Sequence, residues 1–405
     1  MKRFIACVIA ACMLCGCSEG QKNKVEKSSE SAVHTTEKHF EKSSAETEMR
    51  AVWISCYELP DATVGEESFR LSITEMFKKI KDFGLNTVFL HVRPFADAIY
   101  PSEFFPWSKY ACRGENPGFD PLAVVVNCAK EASLSLHAWI NPFRVSMSSD
   151  VSALPKDSPA KALSEKNTGD VAILSNGIYF NPSSTEVHSL VYGGVREILE
   201  KYDVDGIHID DYFYPCADEE IDRVKYEQYK KAGGTESLAA WRRDSVSAFA
   251  AGLYSLVKSY GEDKVFSISP AGNISLNESK LFADVNLWMS CTGYADVVIP
   301  QVYFGFENGA LPFKEAVDMW SKSASCEFVK IVWGLAPYKC GEKDEIAGEG
   351  IDEWIENSDI LSRQLLLARE SKRYDGFALF SYSYIFLQKN NENLKKEMQL
   401  LKNML

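Results

Sequence analysis

Two hydrophobic patterns take turns along most of this chain. Short runs rich in β-branched and aromatic residues read as buried strands. Longer stretches, in which apolar residues return every three or four positions, read as amphipathic helices. The pattern starts at Met49 to Tyr57, a strand, followed by a helix over Glu66 to Phe83 with apolar positions Phe69, Ile73, Met76, Phe77 and Ile80 and a capping Gly84. A strand at Thr87 to Val92, a helix at Pro121 to Ser133 and a strand at Ser135 to Ile140 come next. After a helix at Glu186 to Lys201, a fourth strand runs through Asp205-Gly206-Ile207-His208-Ile209-Asp210. The alternation goes on with a helix at Thr235 to Tyr260, a strand at Lys264 to Ser269, a helix at Lys280 to Cys291 and a strand at Ala295 to Tyr303. Pro312 to Ala324 is helical, Lys330 to Leu335 a strand, Ile360 to Tyr374 helical, Gly376 to Ser381 a strand, and Asn390 to Leu405 the closing helix.

Eight strands, each followed by a helix, predict an α/β fold of the (β/α)8 TIM-barrel type, with long loops after strands two, three and four. A doubly wound open sheet is the competing architecture. It would place a glycine-rich phosphate turn after the first strand, whereas that strand runs into Cys56-Tyr57-Glu58-Leu59-Pro60.

In a barrel the functional residues gather at the C-terminal strand ends, and alternate residues of each strand point inward. Alternation sends Trp53, Ser55, His91, Arg93, His137, Trp139, Asn141, His208, Asp210, Gln301, Tyr303 and Trp333 inward, and keeps Ile140, Ile207, Ile209, Val298 and Val332 against the helices. Polar side chains in the barrel centre cost stability unless they are paired, so their concentration points to a ligand site.

The fourth strand ends in Asp210-Asp211-Tyr212. Two carboxylates there are either a helix cap or the acid pair that glycosidic hydrolysis needs. Glu58, Asp97, Glu103 and Glu307 are further loop carboxylates and read as solvated charges, Asp97 and Glu103 gaining weight from a loop that also holds Arg93, Tyr100 and Trp107. His91, His137 and His208 on neighbouring strands raise the question of a zinc site. Their depth and the lack of His-x-His spacing favour hydrogen-bonded support for the strand ends instead, so neither metal nor cofactor is expected. No GxSxG elbow supports a serine nucleophile.

Composition narrows the partners. The 405 residues carry a net charge of -13 and no basic stripe interleaved with aromatics, which excludes the footprint of a nucleic-acid binder. Trp, Tyr and Phe number 8, 18 and 23, enough to fill a core and still offer stacking faces for sugars. The N-terminus has Lys2 and Arg3, an apolar run from Phe4 to Leu14 too short to span a bilayer, and then Leu14-Cys15-Gly16-Cys17. Residues 1–17 thus resemble a bacterial lipoprotein signal with lipidation at Cys17. The competing reading is an ordinary secretory signal, and both export the chain. Residues 18–48, rich in Ser, Glu and Lys, read as a tether, and 49–405 as the barrel domain. Membrane attachment is expected through the lipid alone, on the extracytoplasmic side. Seven cysteines follow the signal, without CxxC spacing, and give no support for a disulfide framework or a zinc site.

A set of colinear motifs then carries a family resemblance. These are Arg50-Ala51-Val52-Trp53, Val92-Arg93-Pro94-Phe95-Ala96-Asp97, His137-Ala138-Trp139-Ile140-Asn141-Pro142, Asp205 to Tyr212, Trp241-Arg242-Arg243-Asp244, Ile268 to Asn273, Ile299-Pro300-Gln301-Val302-Tyr303 and Gly334-Leu335-Ala336-Pro337-Tyr338. Together they closely resemble the family 10 glycosyl-hydrolase-like proteins, bacterial (β/α)8 barrels that are often lipid-anchored. The resemblance implies a glycoside hydrolase of N-acetylated glycan, peptidoglycan strands above all, cleaving β-1,4 bonds. Asp210 and Asp211 would be catalytic. Arg93, Asp97, Trp139, Asn141, His208, Tyr212, Asn273, Gln301, Tyr303 and Trp333 would hold the sugars. The fourth strand is also similar to chitinase-type barrels, but their catalytic Glu falls at Tyr212 and is absent. Tyr303 matches the position where those barrels orient an acetamide, which is consistent with substrate-assisted cleavage; a retaining double displacement is the alternative and needs a second carboxylate where the sixth strand offers Gln301. A sugar-binding barrel without catalysis is the alternative.

Overall fold

A computed structural model describes residues 48–388 and 390–405. The signal-like segment 1–17 with Cys17 and the tether up to residue 47 lie outside the described residues. Glu48, read as the last tether residue, belongs to the barrel: it pairs with Arg369 at 2.8 Å, and its carbonyl accepts from Asn86 Nδ2 at 2.9 Å.

Eight parallel strands close the barrel. They are β1 (Met49–Ile54), β2 (Thr87–Arg93), β3 (Ser135–Ile140), β7 (Gly206–Ile209), β8 (Val265–Ile268), β9 (Val297–Val298), β10 (Lys330–Leu335) and β11 (Gly376–Leu379). The intervening β4 (Arg144–Ser146), β5 (Val171–Leu174) and β6 (Gly177–Phe180) form a separate antiparallel sheet over the mouth. That sheet and the helix Pro159–Glu165 occupy what the sequence pattern leaves as loop. The helix Arg223–Lys231 does the same after β7. The elements within both insertions are short, so none of them shows a long hydrophobic period.

The first helix shows why the main elements were legible. Glu66–Phe83 buries Phe69, Ile73, Met76, Phe77, Ile80 and Phe83 on one face, and Gly84 stops it in the left-handed conformation, donating to the carbonyls of Ile80 and Lys81. Outside the strands, a large apolar layer including Val52, Ile54, Ile140, Ile207, Ile209 and Val298 packs on the helices. Inside, a smaller cluster of Ala51, Trp53, Phe89, Trp139, Val297, Ile299, Val332 and Ala378 plugs the barrel, so the centre is filled and the site is confined to the mouth.

Two strands break the simple alternation. β2 carries a bulge between His91 and Arg93, and Arg93 lies opposite the outward-facing Ile140. The extra residue puts Arg93 outside the barrel. In β10, Ile331 lies opposite Val298. Partners in register share a face, so Ile331 and Trp333 point outward and Val332 inward, the reverse of the sequence expectation. β9 is cut short by Pro300, which lacks an N–H; single bridges from Gln301 to Ala271 and Gly334 carry the sheet on to the mouth.

Candidate active site

The strand ends open into a cleft of about 780 Å³, bordered on one side by Trp139, Asp210, Asp211 and Tyr212 and on the other by Tyr303, Tyr338, Phe380 and Tyr384. Trp53, Ser55, Glu58, His91, Arg144, Ser269 and Gln301 also line it.

Asp210 sits at the end of β7 and is 4% exposed. Its Oδ2 accepts from Trp139 Nε1 at 3.0 Å and from Asn141 Nδ2 at 3.4 Å, and its Oδ1 from the Tyr212 amide at 3.4 Å. Two of these contacts are long, which leaves the indole as the one strong donor. Burial, followed by the neighbouring Asp211 charge, outweighs these donors and pushes the Asp210 carboxyl up to about 8. Asp210 is therefore protonated at neutral pH. Asp211, half-buried on the rim, is also raised by burial, partly countered by a hydrogen bond from Gln301. Gln301 is held in turn by donating to the Ser269 carbonyl at 3.0 Å. Tyr303 stands edge-on to Tyr338, ring centroids 5.7 Å apart.

Beneath the acid pair lies an aromatic floor. Trp53 Nε1 donates to His208 Nε2 at 3.0 Å, which makes Nδ1 the protonated nitrogen that faces Ser267 Oγ at 2.8 Å. His208 stacks on Phe89 at 4.3 Å and is fully buried. It supports β7 from below and is not a sugar contact, a correction to the sequence expectation. His91 stacks face to face on Trp139, centroids 3.7 Å apart, so one face of that indole is covered before any sugar arrives. His137 meets Phe89 edge-on. Among the described residues no group of three His, Cys, Asp or Glu side chains is arranged to hold a metal ion.

Four other residues expected in the cleft are elsewhere. Arg93, outside the bulge and 1% exposed, lies over the Phe105 ring at 4.5 Å. Asp97 caps its own loop by accepting from the Phe95 amide at 3.1 Å and from Ser108. Asn273 accepts from the Leu276 amide at 3.2 Å as the cap of a short helix after β8. Trp333 donates to the Arg373 carbonyl at 3.2 Å among the barrel helices. Local turn chemistry and strand register outrank side-chain type in each case.

Two residues gain roles that sequence pattern did not assign. Glu58, read as a solvated charge, lines the cleft. Its Oε2 accepts from the Ser55 amide, and its Oε1 from Ser381 Oγ and the Ser383 amide, all at 2.6 Å. It thereby joins the loops after the first and last barrel strands. Arg144 enters from β4. Its amide donates to Asn141 Oδ1 at 3.3 Å, so Asn141 touches both Asp210 and the Arg144 backbone. The signal for Arg144 was its place just beyond Asn141-Pro142 at a strand end; periodicity ends there and gives no direction.

A closed parallel barrel with an acid pair and aromatic walls at its C-terminal mouth defines a glycosidase-like TIM barrel. A model of the family described as Glycosyl hydrolase-like 10 matches residues 48–349, and the chain belongs to that family. Glycosyl hydrolase YngK of Bacillus subtilis (strain 168) is 30% identical, over 82% of this chain and 68% of that protein. Glycosyl hydrolase DigH of Escherichia coli (strain K12) is 27% identical over 83% of each. The glycoside hydrolase domain of PgaB (BpsB) from Bordetella bronchiseptica shares the fold with a TM-score of 0.58 at 14% identity, covering 87% of this chain and 99% of that one. The catalytic domain of β-amylase from Paenibacillus polymyxa does so with a TM-score of 0.53 at 12% identity, covering 87% and 97%.

Proposed function

We propose that the chain is a glycoside hydrolase that cleaves β-1,4 bonds in N-acetylated glycan, with peptidoglycan strands as its substrate. The observation that carries this reading is Asp210, a carboxyl kept protonated to about pH 8 at the cleft wall with a second carboxyl beside it. A proton donor that stays loaded at neutral pH is what the departing glycosidic oxygen requires. Asp210 gives that oxygen its proton as the bond to the anomeric carbon breaks. The sugar's own acetamide oxygen attacks the anomeric carbon from the opposite side, and Asp211, steadied by Gln301, accepts from the acetamide N–H. Tyr303 donates its hydroxyl to the acetamide oxygen. Water then opens the cyclic intermediate, returning its proton to Asp210. Trp139, Tyr212 and the Tyr338 and Tyr384 rings border the space the sugars would fill.

Digestion of purified glycan strands tests this. Wild type should release oligosaccharides, and Asp210→Asn should slow release by about 10²–10⁴-fold, the range for a lost general acid. Strands that bind equally to both proteins with no product from either would make this a sugar-binding barrel instead.

The motif at residues 14–17 supports anchoring of the exported chain by lipid on Cys17. Metabolic labelling with a radioactive fatty acid should mark wild type and leave Cys17→Ser unlabelled; equal labelling of both would remove the anchor from that residue.

A further inference from the structure

The cleft is acidic with one exception. Among the described residues that line it, Glu58, Asp210 and Asp211 are acidic and Arg144 is the one cation. All three carboxylates have hydrogen-bond partners of their own, Glu58 in Ser55, Ser381 and Ser383, Asp210 in Trp139, and Asp211 in Gln301, while the Arg144 charge acts on Asp210 and Asp211 from a distance. Among the described residues none is in ion-pairing distance of the Arg144 guanidinium. That guanidinium is held by π faces instead, 4.3 Å from the centre of the Tyr212 ring and 5.0 Å from that of Phe95. Stacking on aromatic rings fixes a planar fork without using its N–H groups. Five donors are thus presented in a fixed plane to whatever enters. A planar fork is matched by a carboxylate, which takes two parallel N–H bonds, and poorly by a single hydroxyl.

A second group points the same way. His91 lines the same cleft, is buried, and has both ring nitrogens without a partner among the described residues. Arg144 is close enough to act electrostatically on it, and together with burial keeps its imidazole neutral. A neutral imidazole offers one N–H and one lone pair to an entering ligand. An unpartnered buried donor beside an unpaired cation is costly unless a ligand completes both.

We propose that Arg144, with His91 beside it, is a specificity site for a carboxylate carried on a sugar of the substrate, so that the glycan bound is acidic and not neutral. This rests on the glycoside reading of the cleft and adds the charge of the substrate to it. Asn141 couples the two sites, since it contacts Asp210 through its side-chain N–H₂ and the Arg144 amide through its side-chain carbonyl. The carboxylate would therefore sit on the sugar bonded at the cleavage point or on its immediate neighbour.

The test uses three oligosaccharides of equal length. One is a neutral N-acetylated chitin oligomer. One carries a carboxyl ether on alternate sugars. The third is the methyl ester of the second. Calorimetric binding to the Asp210→Asn protein should favour the free acid over its ester about tenfold or more, the range of a charge-assisted pair. Adding Arg144→Gln should bring the two within about twofold, and Arg144→Lys, which keeps the charge and loses the fork, should fall between. Thermal melting checks that each variant is folded, and the Lys variant carries the comparison if the Gln variant is not. Equal affinity for acid and ester with Arg144 present, or a preference that survives Arg144→Gln, would overturn the proposal. The two readings fail separately. Wild type that cleaves acid and neutral oligomers equally well removes the specificity site and keeps the glycosidase. Tight, Arg144-dependent binding of the acid with no cleavage removes the glycosidase and keeps the specificity site.

Discussion

Asp210 shows how a single carboxyl acquires a function from its surroundings. The same strand-end position, exposed, would hold an ordinary anion near pH 4. Burial and Asp211 move it to about 8, and the indole of Trp139 opposes them. Trp139→Phe keeps an aromatic ring against His91 and removes the indole N–H together with the five-membered ring that carries it. Asp210 then holds its proton more tightly, and the basic limb of the kcat/KM profile should move to higher pH, with kcat at pH 6 little altered. A limb that stays in place or moves down would mean that the indole does not control this proton. Sequence pattern placed Asp210, Asp211, Gln301 and Tyr303 together because all four end strands or their direct extensions. It could not place Glu58 or Arg144, whose positions depend on partners far along the chain. Ser381 lies 323 residues from Glu58.

At the scale of elements, the strands were legible and their faces less so. Hydrophobic periodicity locates a strand, but one bulged residue reverses every side chain after it. Arg93 went outside for that reason. Alternation counted along the strand sends Trp333 inward, while pairing of Ile331 with Val298 fixes it outward. Its indole is fully buried against helices and bonded to the Arg373 carbonyl. Trp333→Ala should therefore cost about 3–5 kcal/mol of stability, as large aromatic deletions in cores do, and leave the KM for glycan unchanged at temperatures where the variant is folded. A raised KM with unchanged melting would return Trp333 to the cleft. The small sheet of β4, β5 and β6 escaped notice because its strands are three or four residues long. Yet this sheet delivers Arg144.

For the molecule as a whole, buried carboxyls set the pH range of stability. Asp210 is raised to about 8 and Glu397 to about 7, both chiefly by burial, and Asp97 and Asp211 are raised for the same reason. Each binds its proton more tightly folded than unfolded. For Asp210 and Glu397 that contribution is complete below about pH 4 and is lost as pH rises through about 7 to 8, and Asp97 and Asp211 act in the same direction. Asp170 works in the opposite sense: Lys225, Ser184 and Thr168 outweigh its burial and lower it, so its contribution disappears in acid. Melting temperature should peak in mildly acid buffer and fall between pH 6 and 8. Asp210→Asn should flatten part of that fall, gaining more in melting temperature at pH 8 than at pH 5. An equal gain at both would show that Asp210 does not titrate in this range.

The contact between Glu58 and Ser381 also bears on how the protein is made. β1 is among the first strands synthesised, and its partner β11 is the last strand of the ring. At about 5–20 residues per second, β1 waits on the order of tens of seconds for that partner. Without β11, any sheet built on β1 keeps two open edges. The ring cannot close one half at a time, because the residues that clasp its seam lie at opposite ends of translation. The cleft therefore comes into being only when the two ends of the barrel sequence are both available to each other.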